Sequence, residues 1–368
     1  MKTILFCFGT RPEAIKMAPV IKETNDRGHK AIVCLTGQHK DMIIPFLDFF
    51  KIKADFDLDI MKPNQSLADM TANILTKVST VLDEVKPDFV CVQGDTTTTF
   101  TCGLAAFYKK IPVAHIEAGL RTGDIYSPFP EEANRRLVTA FAEYFFPPTQ
   151  KSADNLLAEN ISKNVYVTGN TSIDALRMTS ETIQSSGISN ELLEKYNFVD
   201  SSKKLILVTA HRRENHGEPL INICEAIKEL AEDKSLQFVI PVHLNPNVKD
   251  VIHGYFDETE NVFLLKPLDY VDFSWFMSKS FFILTDSGGV QEEGPYFKKP
   301  ILVLRENTER PEGVDQEVSI LLGSNKDKII STSKKLINDP EYYQSFSKNV
   351  NPYGDGFASK LILDIITQ

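Results

Sequence analysis

The chain has 368 residues, of which 42% are hydrophobic and 24% charged, with a formal net charge of −10 and an isoelectric point near 5.3. That length supports two ordinary domains with sizeable cores, and that composition excludes a disordered chain. The acidic balance disfavours non-specific binding to nucleic acid, so an anionic ligand has to be met by local clusters of basic residues.

The N-terminal apolar run stops at Gly9-Thr10-Arg11-Pro12-Glu13, too soon for a secretion signal, and no run reaches the length of a membrane span. The five cysteines (Cys7, Cys34, Cys91, Cys102 and Cys224) are odd in number and form no C-x-x-C pair. Three sit in strand-like runs, so buried reduced thiols and a cytoplasmic location are expected.

In the first half the apolar pattern predicts a strand over Thr3–Phe8, a helix over Glu13–Arg27 stopped by Gly28, and a second strand over Lys30–Leu35. A long amphipathic helix follows from Ser66 to Val85. Strands then end at Gln93 and Glu117, helices start at Thr97 and Pro130, and short strands fall at Tyr144–Phe146 and Val165–Val167. Near-continuous apolar strands alternating with helices predict a doubly wound parallel sheet.

Around Ser185–Ser202 the composition turns polar, and the same rhythm then restarts. Its strands are predicted at Leu205–Thr209, Phe238–Val242, Val262–Leu265, Phe281–Leu284 and Ile301–Leu304. The expected fold is α/β, with two Rossmann-like parallel-sheet domains facing a central cleft. Residues 1–170 form the first domain and 171–353 the second, and a last helix over 354–368 packs back on the first.

Ligands of such sheets sit beyond the carboxyl ends of the strands. Asp95 and Glu117 each end an apolar run there, and Glu131 follows Pro130 in a first helical turn. Together they read as an acid/base set; singly, Asp95 also reads as a helix cap and Glu131 as a complement to the helix dipole. Gly9-Thr10-Arg11-Pro12-Glu13 with Lys16 one turn on reads as an anion site or as a surface salt-bridge cluster. In the second half the strand ends carry His211-Arg212-Arg213, His243-Leu244-Asn245 and Ser287-Gly288-Gly289, and a last loop leads to Arg310. Ser-Gly-Gly opening a helix leaves amides uncovered for a diphosphate, and Glu293, one turn in, can accept from ribose hydroxyls.

No G-x-G-x-x-G follows a strand and no P-loop is present, so a nicotinamide, flavin or P-loop site is unsupported. His115-Ile116-Glu117 matches half of a zinc deaminase motif, but no P-C-x-x-C follows. His211 and His243 lack metal-ligand spacing. The sequence therefore predicts no metal and no cofactor. One domain offers acids and bases and the other a nucleotide-diphosphate cradle, which suits an enzyme acting on a nucleotide sugar.

The runs GTRPEAIKMAPV, GDTTTT, HIEAGLRTG, YSPFPEE, VTGN, TAHRREN, PVHLNPNV, LTDSGGVQEEG and RENTERPEGV, in that order, resemble the non-hydrolysing UDP-N-acetylglucosamine 2-epimerases over nearly the whole chain. The resemblance implies a homodimer that interconverts UDP-GlcNAc and UDP-ManNAc for surface polysaccharide precursors. It proceeds by elimination of UDP to a 2-acetamidoglucal and re-addition. It implies Asp95, Glu117 and Glu131 as the acid/base set, with mutual repulsion able to hold one protonated, and His211 beside the departing diphosphate with Arg11 and the Ser287-Gly288-Gly289 amides. Lys16, Glu293 and Arg310 would hold substrate, with Leu268 and Phe273 near the uracil. It further implies a second UDP-GlcNAc site of activation at Gln38, His39, Gln65 and His243. Asn64, where relatives often carry Arg, and Arg136, in place of the usual Gln, depart from the pattern. The rival readings are an epimerase of a related UDP-N-acetyl sugar, a hydrolysing epimerase releasing ManNAc and UDP, a glycosyltransferase, and a nucleotide-sugar sensor.

Overall fold

Near-continuous apolar runs become parallel strands throughout the chain, as a sheet covered by helices on both faces requires. The structure, a computed structural model, describes residues 1–37, 40–61, 65–348 and 351–368. The chain divides into one unit comprising Met1–Ala175 with Tyr353–Gln368 and another comprising Leu176–Pro352.

The first unit runs β1 (Thr3–Phe8), α1 (Arg11–Asp26), β2 (Lys30–Leu35), α2 (Lys40–Phe49), β3 (Phe56–Asp57), α3 (Leu67–Val85), β4 (Phe89–Gln93), α4 (Thr97–Tyr108), β5 (Val113–Ile116), α5 (Glu131–Phe141), β6 (Tyr144–Phe146) and α6 (Gln150–Ala158). Its strands lie in the order β3-β2-β1-β4-β5-β6, every pair parallel. Alternate strand residues such as Leu5, Cys7, Val90 and Val92 pack against Ile74 and Val78 of α3 and Cys102 and Ala105 of α4.

Next come α7 (Thr171–Ser185), α8 (Ile188–Lys195), β7 (Lys204–Thr209), α9 (Glu218–Leu230), β8 (Leu236–Pro241), α10 (Pro246–Phe256), β9 (Val262–Leu265), α11 (Tyr270–Lys279), β10 (Phe282–Thr285), α12 (Gly288–Glu293), β11 (Ile301–Val303), α13 (Pro311–Asp315), β12 (Ser319–Leu321), α14 (Lys326–Asn338) and α15 (Pro340–Lys348). The second sheet has the order β9-β8-β7-β10-β11-β12, again all parallel. Each sheet therefore reverses direction once, between β1 and β4 and between β7 and β10. Loops diverge at those two points and leave room for a ligand.

The last helix, α16 (Ala358–Ile366), belongs to the first unit. Its first amides have no cap from their own loop. Asp174, fully buried, accepts from Ala358 N at 3.1 Å and from Ser359 N and Oγ at 2.8 and 2.6 Å. Arg27, just past α1, reaches Asp364 at 2.6 Å.

The structure departs from the sequence pattern at short elements. Val165–Val167 forms no strand; only a single bridge joins Val165 to Phe145. β5 ends at Ile116, because Glu117 takes a left-handed backbone with φ +63° and cannot continue a strand. β3 and β12, of two and three residues, are too short to show a period. Among the described residues no helix is long and apolar enough to cross a membrane.

Candidate active site

In the first unit the strand-end loops of β1, β4 and β5 converge. Lys16, on the second turn of α1, places Nζ 2.6 and 2.7 Å from the two oxygens of Glu117. Gln93, the last residue of β4, donates its side-chain amide to Oε2 of the same carboxylate. Glu117 is 9% exposed, and its left-handed backbone costs about 1–3 kcal/mol, as strained sites do. Its amide is anchored by Phe146 O at 3.0 Å, which fixes where the side chain starts.

Asp95 meets Arg135 of α5 through Oδ2, 2.9 Å from Nε and 2.6 Å from Nη2. Arg135 also binds Glu132, whose carboxyl is pushed up by burial but held below its usual range by the Thr122 amide and Arg135. The loop that carries Asp95 is pinned at each backbone carbonyl. Gln93 O accepts from Thr99 Oγ1 at 2.6 Å, Gly94 O from His115 Nε2 at 2.7 Å, and Asp95 O from Asn134 Nδ2 at 2.9 Å.

Because Nε2 donates, His115 is the tautomer whose Nδ1 is bare, and that atom is buried with no hydrogen-bond partner. Burial pushes its pKa down to about 4. Glu131 opens α5 and buries one oxygen, Oε2, with no hydrogen-bond partner.

Just before α1, Gly9 N and Thr10 N donate to Glu13 Oε2 at 3.0 and 2.8 Å. Lys16 and the exposed Arg11 are the cations of this helix start. Asp95 and Glu117 each face a cation, Arg135 and Lys16 respectively. Gln65 precedes the Ser66 cap of α3, whereas Gln38, His39 and Asn64 lie outside the described residues.

In the second unit Asp286, fully buried after β10, gathers the end of β7. Its Oδ2 accepts from His211 N at 2.7 Å, Arg212 N at 2.8 Å and Asn215 Nδ2 at 3.0 Å, and its Oδ1 lies 3.2 Å from His211 Nδ1. Burial pushes the Asp286 carboxyl up, but His211 and these amides outweigh it and hold it below the usual range. The His211 ring stacks on His243, centroids 5.6 Å apart.

Ser287 caps α12 without a side-chain hydrogen bond, and the Arg310 guanidinium lies against Gly288, where a Cβ would approach it to 3.2 Å. Arg310 is held by Glu292 at 2.7 Å and Glu309 at 2.9 Å. Leu268 and Phe273 are partly buried against the apolar cluster around Trp275 and Phe276. Tyr270 is raised well above its usual pKa, first by burial and then by the charge of Glu293.

Residues 22–367 match the family model described as UDP-N-acetylglucosamine 2-epimerase. The chain belongs to that family. A UDP-N-acetylglucosamine 2-epimerase of Neisseria meningitidis serogroup A is 52% identical over 99% of this chain and 98% of its own. That of Escherichia coli K12 is 47% identical over 99% and 98%. Among solved structures, the N. meningitidis UDP-GlcNAc 2-epimerase bound to UDP-GlcNAc superposes with a TM-score of 0.89 at 51% identity, covering 99% of both chains. The Methanocaldococcus jannaschii epimerase in complex with UDP-GlcNAc and UDP does so at 0.79 and 33%, covering 100% and 99%.

Within this epimerase-family chain, sequence reasoning passed over Gln93, Arg135, His115, Asp286 and Glu13. A signal existed for one of them: Thr10-x-x-Glu13 is the pattern of a capping box, and the box is formed. The others find their partners 21 to 75 residues away or on another helix, so no local pattern reveals them.

Proposed function

We propose that the protein interconverts UDP-GlcNAc and UDP-ManNAc at C2 by the non-hydrolysing route. The observation that carries the reading is the buried cluster beyond the strand ends of the first sheet, where Lys16 and Gln93 hold Glu117 while Arg135 holds Asp95 on the loop after β4, in a chain of this family. The C2 proton is not beside a carbonyl carbon, so it leaves together with the C1 substituent. A carboxylate takes the proton, the C2–H electrons form the C1=C2 bond, and the C1–O bond breaks to release UDP. Re-addition of UDP at C1 with protonation of C2 from the other face gives the epimer, and no redox partner enters the balance.

Asp95, Glu117 and Glu131 form the acid/base set. The buried, unpartnered Oε2 of Glu131 supports a role toward substrate. His211, Arg11 and the amides of Ser287, Gly288 and Gly289 meet the negative charge that grows on the leaving diphosphate. Lys16, Glu293 and Arg310 hold substrate, and the apolar edge at Leu268 and Phe273 faces the uracil. Gln38, His39, Gln65 and His243 form the activating UDP-GlcNAc site, the chain acts as a homodimer, and its product supplies surface polysaccharide.

Proton NMR of the protein with UDP-GlcNAc in D2O tests this. UDP-ManNAc should appear with deuterium at C2 in both epimers. Asp95→Asn, Glu117→Gln and Glu131→Gln should each lower the rate by about 10²–10⁴-fold, as loss of a general acid or base does. Free ManNAc with UDP would instead identify a hydrolysing enzyme, and an untouched C2 proton would exclude this substrate.

A further inference from the structure

Helix α1 grips the first sheet at two points three residues apart on one face: Lys16 on Glu117, and Glu13 on the loop after β4. Glu13 is 2% exposed and takes four donors, with a fifth hydroxyl beside it. Its Oε2 accepts from Gly9 N, Thr10 N and Thr10 Oγ1, closing the capping box of its own helix. Its Oε1 crosses to α4 and accepts from Thr96 Oγ1 at 2.7 Å, with Thr99 Oγ1, whose proton goes to Gln93 O, 3.3 Å away. A capping box uses only one of those oxygens. The second one joins two elements that sequence keeps more than 80 residues apart.

Both threonines lead to the reacting groups. Thr96 follows Asp95 and caps α4 by accepting from Thr99 N at 3.1 Å. Thr99 holds Gln93 O, and Gln93 donates to Glu117. Contacts therefore run in a closed ring from Glu13 through Thr99, Gln93, Glu117 and Lys16 back to α1. A ligand anion competes for the Lys16 ammonium, whereas Glu13 is buried beyond its reach.

We propose that Glu13 is a positioning residue that fixes Asp95 and Gln93 relative to α1 when substrate draws Lys16 away from Glu117. The proposal rests on the epimerase reading for its consequence in turnover, but the tie itself does not. Burial pushes the Glu13 carboxyl up against the pull of its donors, and the tie itself is made of hydrogen bonds to its two oxygens. Glutamine can replace it, its oxygen serving the two amides and its NH2 facing the two hydroxyls, which can rotate to accept.

The test is a double-mutant cycle with a second readout that needs no turnover. Glu13→Ala should lower kcat about 10–100-fold, the scale of a misplacement near 1 Å, with KM changed less than about threefold. In an Asp95→Asn background the same change should cost less than about threefold, whereas a merely structural residue would cost the same in both backgrounds. Glu13→Gln should stay within about fivefold of the parent. Amide exchange over residues 94–99 should quicken about tenfold in Glu13→Ala, with β2 unchanged. Should Glu13→Ala fail to fold, Thr96→Val carries the same expectations and Thr96→Ser the rescue. Additive losses, equal damage in Glu13→Gln and Glu13→Ala, or unaltered exchange at 94–99 would each overturn the proposal. A parent protein that leaves UDP-GlcNAc untouched would overturn the functional reading, while the exchange measurement would still decide the tie.

Discussion

Single side chains decide how the candidate site is held. Gln93 is a neutral partner of a carboxylate that Lys16 also meets, and a leucine there would remove the amide it donates to Glu117. Losing one hydrogen bond to a buried charge costs about 1.5–3 kcal/mol, so Gln93→Leu should lower kcat/KM by roughly 10–100-fold in steady-state assays. His115 makes a second prediction. Its pKa is about 4 in the folded chain against an ordinary 6.5, so between those values the unfolded state binds more protons. Stability is therefore full above pH 6.5 and falls toward pH 4, by roughly 3 kcal/mol at most from this one group. Urea titrations across that window should show the fall, and a His115→Gln variant should flatten it. At this scale the sequence was legible where chemistry stands at a strand end, as with Asp95 and Glu117. It assigned no role to Gln93 and saw in His115 only half of an unfinished motif; their partners Glu117 and Gly94 lie just past neighbouring strands and follow from the register Val92–His115 and Gln93–Ile116.

Elements carry the next level of order. Strands with four or more apolar residues, such as Thr3–Phe8 and Phe89–Gln93, were readable because burial on both faces leaves little room for polar positions. Val165–Val167 failed for the complementary reason: a β-branched pair flanks a tyrosine, yet the segment only brushes β6. The loop after β10 shows how elements are bound at their ends. Asp286 gathers the β7 loop, and Asn215 passes the connection to Leu304 O beyond β11 at 3.0 Å. Replacing Asp286 by alanine removes the acceptor of two partly buried backbone amides and of the buried Asn215 side chain. Each unsatisfied donor costs about 1–3 kcal/mol, so thermal unfolding should shift down by several degrees or more and the His211 loop should lose protection from exchange. A similar argument applies at Gly119, where φ is +86° and a methyl group would collide with the Ser152 carbonyl of α6; Gly119→Ala should be recovered mainly as unfolded protein.

At the scale of the whole molecule, the same topology occurs twice, each sheet reversing once. That repetition was visible as a restarted rhythm of apolar runs, because each copy needs its own core. All five thiols are free and buried, and burial raises Cys91 and Cys224 well above an ordinary thiol, Cys224 to about 12. A thiol reagent should thus titrate none of the five in the native protein and all five in denaturant. The tie between Asp174 and Ser359 has a consequence for how the molecule is made. The first unit takes shape from residues that leave the ribosome early, yet the amides that satisfy its buried Asp174 carboxylate are translated 184 and 185 residues later. Until then that carboxylate lacks these two amides, and the unit that is synthesised first is the one that is finished last.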